Sequence, residues 1–287
     1  MKPPYITNAF INQFIDQALA EDVGDGDHSS LASIPDHQTS GAKLIAKQNG
    51  VLAGLQMALS IFEKLNPSLE VETFKADGDS MEVGEVVLTV KGNTQAILKA
   101  ERLVLNCMQR MSGIATKTAN LNSLIAHTSA KLLDTRKTTP NFRLLEKWAV
   151  AIGGGQNHRI GLFDLIMLKD NHVDYAGGIT QAVASTVDYL QRTDRQLQIE
   201  VETRSIAEVK EALDTGKVDI IMLDNMSPAT MKEAVTLING KCKVEASGGI
   251  TEETIAEVAE TGVDYISVGA LTHSYQSIDL SLKAINN

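Results

Sequence analysis

After residue 130 the chain repeats one unit. Short apolar runs ("AKLLDT", "FDLIMLKD", "LQIEVET", "VDIIMLDN", "KVEAS" and "VDYISVGA") each end in a polar or glycine-rich turn, and helical spacing follows. The runs end near Thr135, Lys169, Glu202, Asp224, Ser247 and Gly269. The last four ends recur at intervals of about 22 residues, the length of one strand plus one helix. Repeated βα units with apolar strands imply a parallel sheet covered on both faces and curled toward a barrel. Six strands are visible, short of the eight of a full barrel.

The first part of the chain reads differently. Residues 7–20 carry apolar groups at Phe10, Ile11, Phe14, Ile15, Ala18 and Leu19, a helical spacing with Thr7 as N-cap. "EDVGDGDHSS" lacks the ligand order of a calcium loop and reads as a solvated turn. From Ala42 to Gly92 short strands surround one helix, "LQMALSIFEKL", and "DGDSMEVGEVVLTVKG" reads as two strands around a glycine turn. Residues 94–128 are mostly helical, with "SGIAT" at 112–116 expected as a bend or a domain junction.

Composition narrows the function classes. The content is 43% hydrophobic and 22% charged, that of a soluble globular protein with a core. No apolar run approaches the ~20 residues that span a bilayer, and "MKPPYITNAF" has no signal-peptide core. Cys107 and Cys242 form no Cys-x-x-Cys pair and read as reduced packing thiols in a cytoplasmic protein. The formal charge of −10 argues against a nucleic-acid or anionic-membrane partner.

Against that acidic background the cations cluster locally. Arg136, Lys137 and Arg143 lie in "DTRKTTPNFR", His158 and Arg159 in "GGGQNHR", and Lys169 and His172 in "IMLKDNH". In a parallel barrel the site lies at the C-terminal ends of the strands. Those ends carry Arg136, Lys137, Lys169, Glu202 and Asp224, then the glycine turns Ser247-Gly248-Gly249 and Val268-Gly269. Arginine forks suit carboxylates, and late glycine turns expose backbone N–H groups to phosphate. Glu202 and Asp224 suit Mg²⁺ or ribose hydroxyls, or else pair with a nearby lysine. Glu200 shares the Glu202 face, deeper in the barrel. "PNFRLLEKWAVAI" is expected as a helix capped by Thr139, opened by Pro140 and stopped at Gly153.

"ERLVLNCMQRMSGIATKT", "DTRKTTPNFRLLEKWAV", "GGGQNHRIGLFDLIMLKDNH", "IMLDN", "EASGGI" and "GVDYISVGALTHS" together resemble the quinolinate phosphoribosyltransferase family. The resemblance runs from "EDVGDGD" to "LTHS". It implies an α/β fold: an N-terminal α/β sandwich and an incomplete, TIM-like α/β barrel. The corresponding boundaries are 1–112 for the sandwich and 113–274 for the barrel, with the tail 275–287 returning to the first domain. It also implies transfer of phosphoribose from phosphoribosyl pyrophosphate to quinolinate, giving nicotinate mononucleotide, pyrophosphate and CO₂ in NAD biosynthesis.

By the same resemblance Thr135, Arg136, Lys137, His158, Arg159 and Lys169 hold quinolinate, and Arg102 reaches in from the partner of a homodimer. Lys137, Glu202 and Asp224 are the catalytic candidates, with Mg²⁺ on Glu202 and Asp224, directly or through water. Ser247, Gly248, Gly249, Val268, Gly269 and His273 hold phosphate and ribose. Three positions depart from the family pattern: Asn141 in place of glycine, Arg204 in place of an acidic residue, and His28 in place of an aliphatic one. Three other readings compete: a molybdenum-transport-associated paralogue, a Schiff-base aldolase using Lys137 or Lys169, and a phosphate-binding barrel without activity. The aldolase lacks an evident base beside its lysine, and the inactive barrel leaves the arginine cluster unexplained.

Overall fold

The computed structural model describes residues 2–285; Met1 and the last two residues of the returning tail lie outside it. Two compact units make up the described chain. The first comprises residues through Ala119, Thr139–Gly154 and the chain from Ser274; the second comprises Asn120–Thr138 and Gly155–His273. Residues 113–119 and 139–154, expected in the barrel domain, therefore group with the first unit.

In the first unit, helix α1 (Asn8–Val23) starts at Thr7, whose Oγ1 accepts the Phe10 N–H at 3.1 Å. Asp27 caps a short helix, α2 (His28–Ser33), by accepting the Ser30 N–H at 3.1 Å, where the sequence suggested only a turn. Then come β1 (Thr39–Ala46), β2 (Gly50–Val51), α3 (Leu55–Leu65), β3 (Glu70–Thr73), β4 (Ser80–Met81), β5 (Val86–Asn93) and α4 (Thr94–Leu124). The last strand, β12 (Leu280–Ile285), lies antiparallel to β1, giving the order β12-β1-β5-β3. Alternate side chains of this sheet join one face of α3, burying Leu44, Leu88, Met57, Ile61 and Phe62. β4 and β5 flank the glycine turn but join different sheets: β4 pairs with β2, and β5 runs between β1 and β3.

"SGIAT" neither bends nor breaks α4, which is continuous there. Its small side chains instead permit close packing. Ser112 Oγ donates to the Ala53 carbonyl at 3.1 Å and accepts the Ala53 N–H at 3.0 Å. A Cβ on Gly113 would run into the Gln276 carbonyl. Helix α5 (Arg143–Ile152) begins later than the Thr139 cap suggested. The cause is Asn141, held at φ +61°, a left-handed conformation that no helix continues through. Thr139–Phe142 is a turn closed by Phe142 N–H to Thr139 O at 3.1 Å. Asn is among the few non-glycine residues that tolerate this conformation, which accounts for its standing where the family pattern has glycine.

The second unit is the βα repeat. Its strands are β6 (Lys131–Leu133), β7 (Ile166–Leu168), β8 (Ile199–Thr203), β9 (Ile220–Asp224), β10 (Lys243–Ser247) and β11 (Tyr265–Ser267). Helices α6 (Asp170–Ala176) and α7 (Ile179–Thr193) follow β7, and α8 (Ile206–Asp214), α9 (Pro228–Ile238), α10 (Ile255–Ala259) and α11 (Ala270–His273) follow the later strands. All strand pairs are parallel, in the order β6-β11-β10-β9-β8-β7. β6 and β7 are both edges, so the sheet is an open six-stranded barrel; one parallel bridge, Leu133 to Gln156, lies beyond β6. Inside, Leu165, Met167, Ile220 and Met222 form an apolar cluster. The registers set Asp224 beside Ser247 at the ends of β9 and β10.

Candidate active site

A cavity of about 770 Å³ opens at the C-terminal ends of the second unit's strands. Its walls carry Thr135, Arg136, Lys137, His158, Arg159 and Lys169, then Glu202 and Asp224, then Ser247, Gly248, Gly249, Val268, Gly269 and His273. The barrel residues expected to hold substrate, phosphate and metal thus meet in one concavity, while Glu200 and His172 do not line it. Arg102 does not: it lies on α4 in the first unit and lines a separate hollow with Phe14, Asp22, Arg110 and Phe142. Arg143 opens α5 in that same unit. His172 serves locally, its Nδ1 accepting the Lys169 N–H at 3.0 Å at the start of α6. Arg204 is tied to Asp174 at 3.2 Å and Glu208 at 3.0 Å on the surface.

One side of the cavity is cationic. The loop after β6 is shaped by its own hydroxyl: Thr135 Oγ1 accepts the Lys137 N–H at 3.0 Å. Thr272 Oγ1 donates to the Lys137 carbonyl at 2.8 Å, fixing the loop to α11. The Nε of Arg136 is buried with no hydrogen-bond acceptor among the described residues. Burial, and then the adjacent charge of Arg136, hold the Arg159 pKa below its ordinary value. Two like charges with an unmet donor are costly to keep in a recess, and an anion between them would relieve both penalties.

The rest of the wall supplies oxygen atoms and bare backbone. Lys169 Nζ lies 2.7 Å from Glu202 Oε2, so the pairing that the sequence left open for Glu202 is made with Lys169. Asp224 Oδ2 accepts from Asn225 Nδ2 at 2.7 Å. One oxygen of each carboxylate takes no part in these bonds, and hard oxygen donors on neighbouring strands are the chemistry Mg²⁺ requires. Gly248 and Gly249 have φ of +89° and +61°, and a Cβ on Gly248 would strike Asn225 Oδ1. Only glycine fits that turn, and it leaves the backbone open to a ligand. At Gly269 a Cβ would lie 2.9 Å from Lys137 Cδ and 3.1 Å from His273 Nε2, so these two side chains close over it.

Beneath the cations lies a buried acidic framework that the sequence reading reached only through Glu200. His158 Nε2 lies 3.0 Å from Glu200 Oε2 and 3.3 Å from Glu245 Oε2, and neither glutamate is exposed. Asp134, also fully buried, accepts the His158 N–H at 2.9 Å and Asn157 Nδ2 at 2.6 Å. Burial disfavours a charged imidazole, while Glu200 and Glu245 draw a proton to the ring. His158 Nδ1 meanwhile accepts the Arg159 N–H at 2.7 Å, a bond that needs its lone pair, so the proton the carboxylates hold is the one on Nε2. Burial, first of all, raises the Glu200 pKa. Glu245 had a readable signal. Two residues before Ser247 in "KVEAS", it points inward by strand alternation, as Glu200 does before Glu202.

Fold and site together define a two-unit α/β-barrel protein with a pocket of cations, carboxylates and glycine turns at its strand ends. The family profile described as quinolinate phosphoribosyl transferase, C-terminal domain, matches residues 114–283, and the corresponding N-terminal domain profile matches residues 27–112. The chain is 47% identical to quinolinate phosphoribosyltransferase [decarboxylating] 2b, mitochondrial, of Nicotiana tabacum, over 99% of this chain and 84% of that one. It is 43% identical to a probable nicotinate-nucleotide pyrophosphorylase [carboxylating] of Synechocystis, over 99% of this chain and 95% of that one. The crystal structure of NadC from Streptococcus pyogenes superposes with a TM-score of 0.92 at 40% identity, covering 98% of this chain and 99% of the other. The chain belongs to the quinolinate phosphoribosyltransferase family.

Proposed function

We infer that the protein transfers phosphoribose from phosphoribosyl pyrophosphate to quinolinate and releases nicotinate mononucleotide, pyrophosphate and CO₂, a step in de novo NAD biosynthesis. The observation that carries this reading is the pair Arg136 and Arg159, adjacent cations in a strand-end cavity whose wall also carries glycine turns and carboxylates. In this reading Arg136 and Arg159 grip the two carboxylates of quinolinate, with Thr135 and Lys169 beside them. Lys169 leaves Glu202 for the incoming dianion, which frees Glu202 for the ribose hydroxyls. Ser247, Gly248, Gly249, Val268, Gly269 and His273 take the phosphate. The ring nitrogen attacks the anomeric carbon while Lys137, folded over Gly269, faces the departing pyrophosphate. Glu202 and Asp224 would hold Mg²⁺, directly or through water, and the chemistry it would supply there is charge neutralisation on the donor. The pyridinium nitrogen then accepts electron density as the C2–CO₂ bond breaks, and C2 takes a proton. Of the two grips, the one on the retained carboxylate is the firmer, since tight pairing of the reacting carboxylate would stabilise the ground state.

The reading extends to a homodimer in which Arg102 completes the partner's site. Arg102 is exposed on α4, outside the cavity that holds the other candidates, which supports a role in another chain. Subunit exchange between Arg102→Ala and Lys137→Ala proteins should then restore activity to about a quarter of all sites, as half the dimers are mixed and each has one intact site. No recovery after verified exchange would exclude sharing. Two unpaired thiols suit a cytoplasmic setting, although the plant relatives carry mitochondrial and chloroplastic names. Among the described residues no helix is long and apolar enough to cross a membrane.

The deciding assay incubates the protein with quinolinate, phosphoribosyl pyrophosphate and Mg²⁺ and follows all three products. Equal amounts of nicotinate mononucleotide, pyrophosphate and CO₂ are expected. Nicotinate should be a far poorer acceptor, because it would leave one cation unpaired. A comparable kcat/KM for nicotinate and quinolinate would sink the assignment.

A further inference from the structure

The segment 156–159 carries Arg159 into the cavity without regular secondary structure. A single parallel bridge at Gln156 and side chains beyond it hold it instead. Asp134 takes the His158 N–H, and the Asp134 N–H donates to the Gln156 carbonyl at 3.2 Å. The His158 ring then bridges in two directions: Nδ1 receives the Arg159 N–H at 2.7 Å, and Nε2 faces Glu200 and Glu245 at 3.0 and 3.3 Å. Both glutamates are fully buried, and their carboxylate oxygens have no hydrogen-bond partner among the described residues, only the ion-pair contact with His158. Burying two carboxylates costs far more than an apolar wall would, and neither reaches solvent. Their common neighbour is the Nε2 of one imidazole. When one ring nitrogen is committed to an acceptor, the other is left with its lone pair, which sets what the ring can hold. Here that lone pair holds the backbone of Arg159.

We propose that Glu245, together with Glu200, is a positioning residue that fixes His158 in its Nε2–H form, so that Nδ1 pins the Arg159 backbone and aims its guanidinium at one carboxylate of the acceptor. This rests on the proposed quinolinate reaction. It gives His158 a role through Arg159, since both of its ring nitrogens are engaged within the protein. It also explains why an acid is tolerated on the inner face of β10, where Val244 and Ala246 flank it and are themselves buried. A carboxylate or an amide oxygen can do the work, because only an acceptor is needed.

The test uses Glu245→Ala and Glu245→Gln. Glu245→Ala should raise the KM for quinolinate by about tenfold or more, as a displaced binding group does, and leave the KM for phosphoribosyl pyrophosphate within about twofold. Glu245→Gln keeps an acceptor oxygen and should recover most of the loss. A merely structural role would lower Tm without separating the two KM values. A purely electrostatic role would leave Gln as damaged as Ala. Either result overturns the proposal. A readout independent of turnover is nitrogen NMR of the histidines in the ligand-free wild-type protein, which should show His158 as the Nε2–H tautomer. The opposite tautomer would refute the mechanism even if neither variant folds. Wild-type protein inactive on quinolinate would count against the proposed reaction alone, and the tautomer would still decide the positioning role.

Discussion

The two sheets of this protein bury different things. The antiparallel sheet of the first unit packs Leu44, Leu88 and Phe62, and the polar groups buried along α4 are short: Thr94, Ser112 and Thr118; the charged pair Glu146 and Lys147 is buried apart from them, on α5. Ser112 and Thr118 spend their hydroxyls on backbone carbonyls. The parallel barrel of the second unit also has an apolar lining, but it encloses Asp134, Glu200 and Glu245 with no exposure at all. Buried carboxylates are expensive unless neighbouring groups compensate them, and here the compensation is the cationic segment 156–159. The first unit is constrained by space around α4 and its sheet, the barrel interior by charge. If that contrast is right, substitutions should divide into those that hurt folding and those that hurt chemistry.

The largest expected effect falls on Gly113. An added methyl would point at the Gln276 carbonyl and lie 3.0 Å from Ser277 Cα, both backbone atoms that cannot swing aside. Alanine is the better helix former by about 1 kcal/mol, so propensity alone favours the change. The clash should dominate. Gly113→Ala is expected to lose about 2 kcal/mol or more in denaturant unfolding, with kcat/KM per folded molecule unchanged. A variant of normal stability and poor kcat/KM would break the contrast.

Arg136→Lys probes the other side. It keeps the charge next to Arg159 and removes the planar fork, so quinolinate affinity should fall about tenfold while Tm holds. Direct titration gives the Kd, and thermal unfolding gives the control. An unchanged Kd would show that Arg136 does not grip a carboxylate. Loss of stability without loss of affinity would move Arg136 to the structural side.

What the sequence made legible follows the same division. Strand periodicity is a local signal, so the six barrel strands and the strand-end positions of Asp224 and Ser247 could be read directly. Thr7 as N-cap and Leu55–Leu65 as helix were local too. Non-local contacts were not readable. "SGIAT" offered a bend or a domain junction: the two family profiles do meet there, but the helix runs on, because the partners of its small residues, Ala53 and Gln276, are far away in the chain. β4 and β5 looked like partners because they are adjacent in sequence, yet their pairing is decided by β2, β1 and β3. Glu245 was hidden inside a run read as apolar wall. The strand-end cations of the site were legible because function placed charge where a turn would ordinarily be neutral.

The smallest expected effect tests a single torsion. Asn141 is exposed, holds φ +61° and ends the Thr139–Phe142 turn before α5. Left-handed backbone costs most residues about 1–2 kcal/mol and Asn less, because its short polar side chain suits the region. Asn141→Gly removes that strain but makes the unfolded chain freer, a cost of about 0.5–1 kcal/mol. The two nearly cancel, so unfolding free energy should move by no more than about 0.5 kcal/mol. Asn141→Ala has no such compensation: it keeps a Cβ and loses the side chain that tolerates the turn. It should destabilise by about 1 kcal/mol, and the order Gly ≥ Asn > Ala in denaturation midpoint is the measurement. If alanine matched glycine, the turn would not be held left-handed in solution, and α5 would be free to start at Pro140 as the local sequence alone suggests.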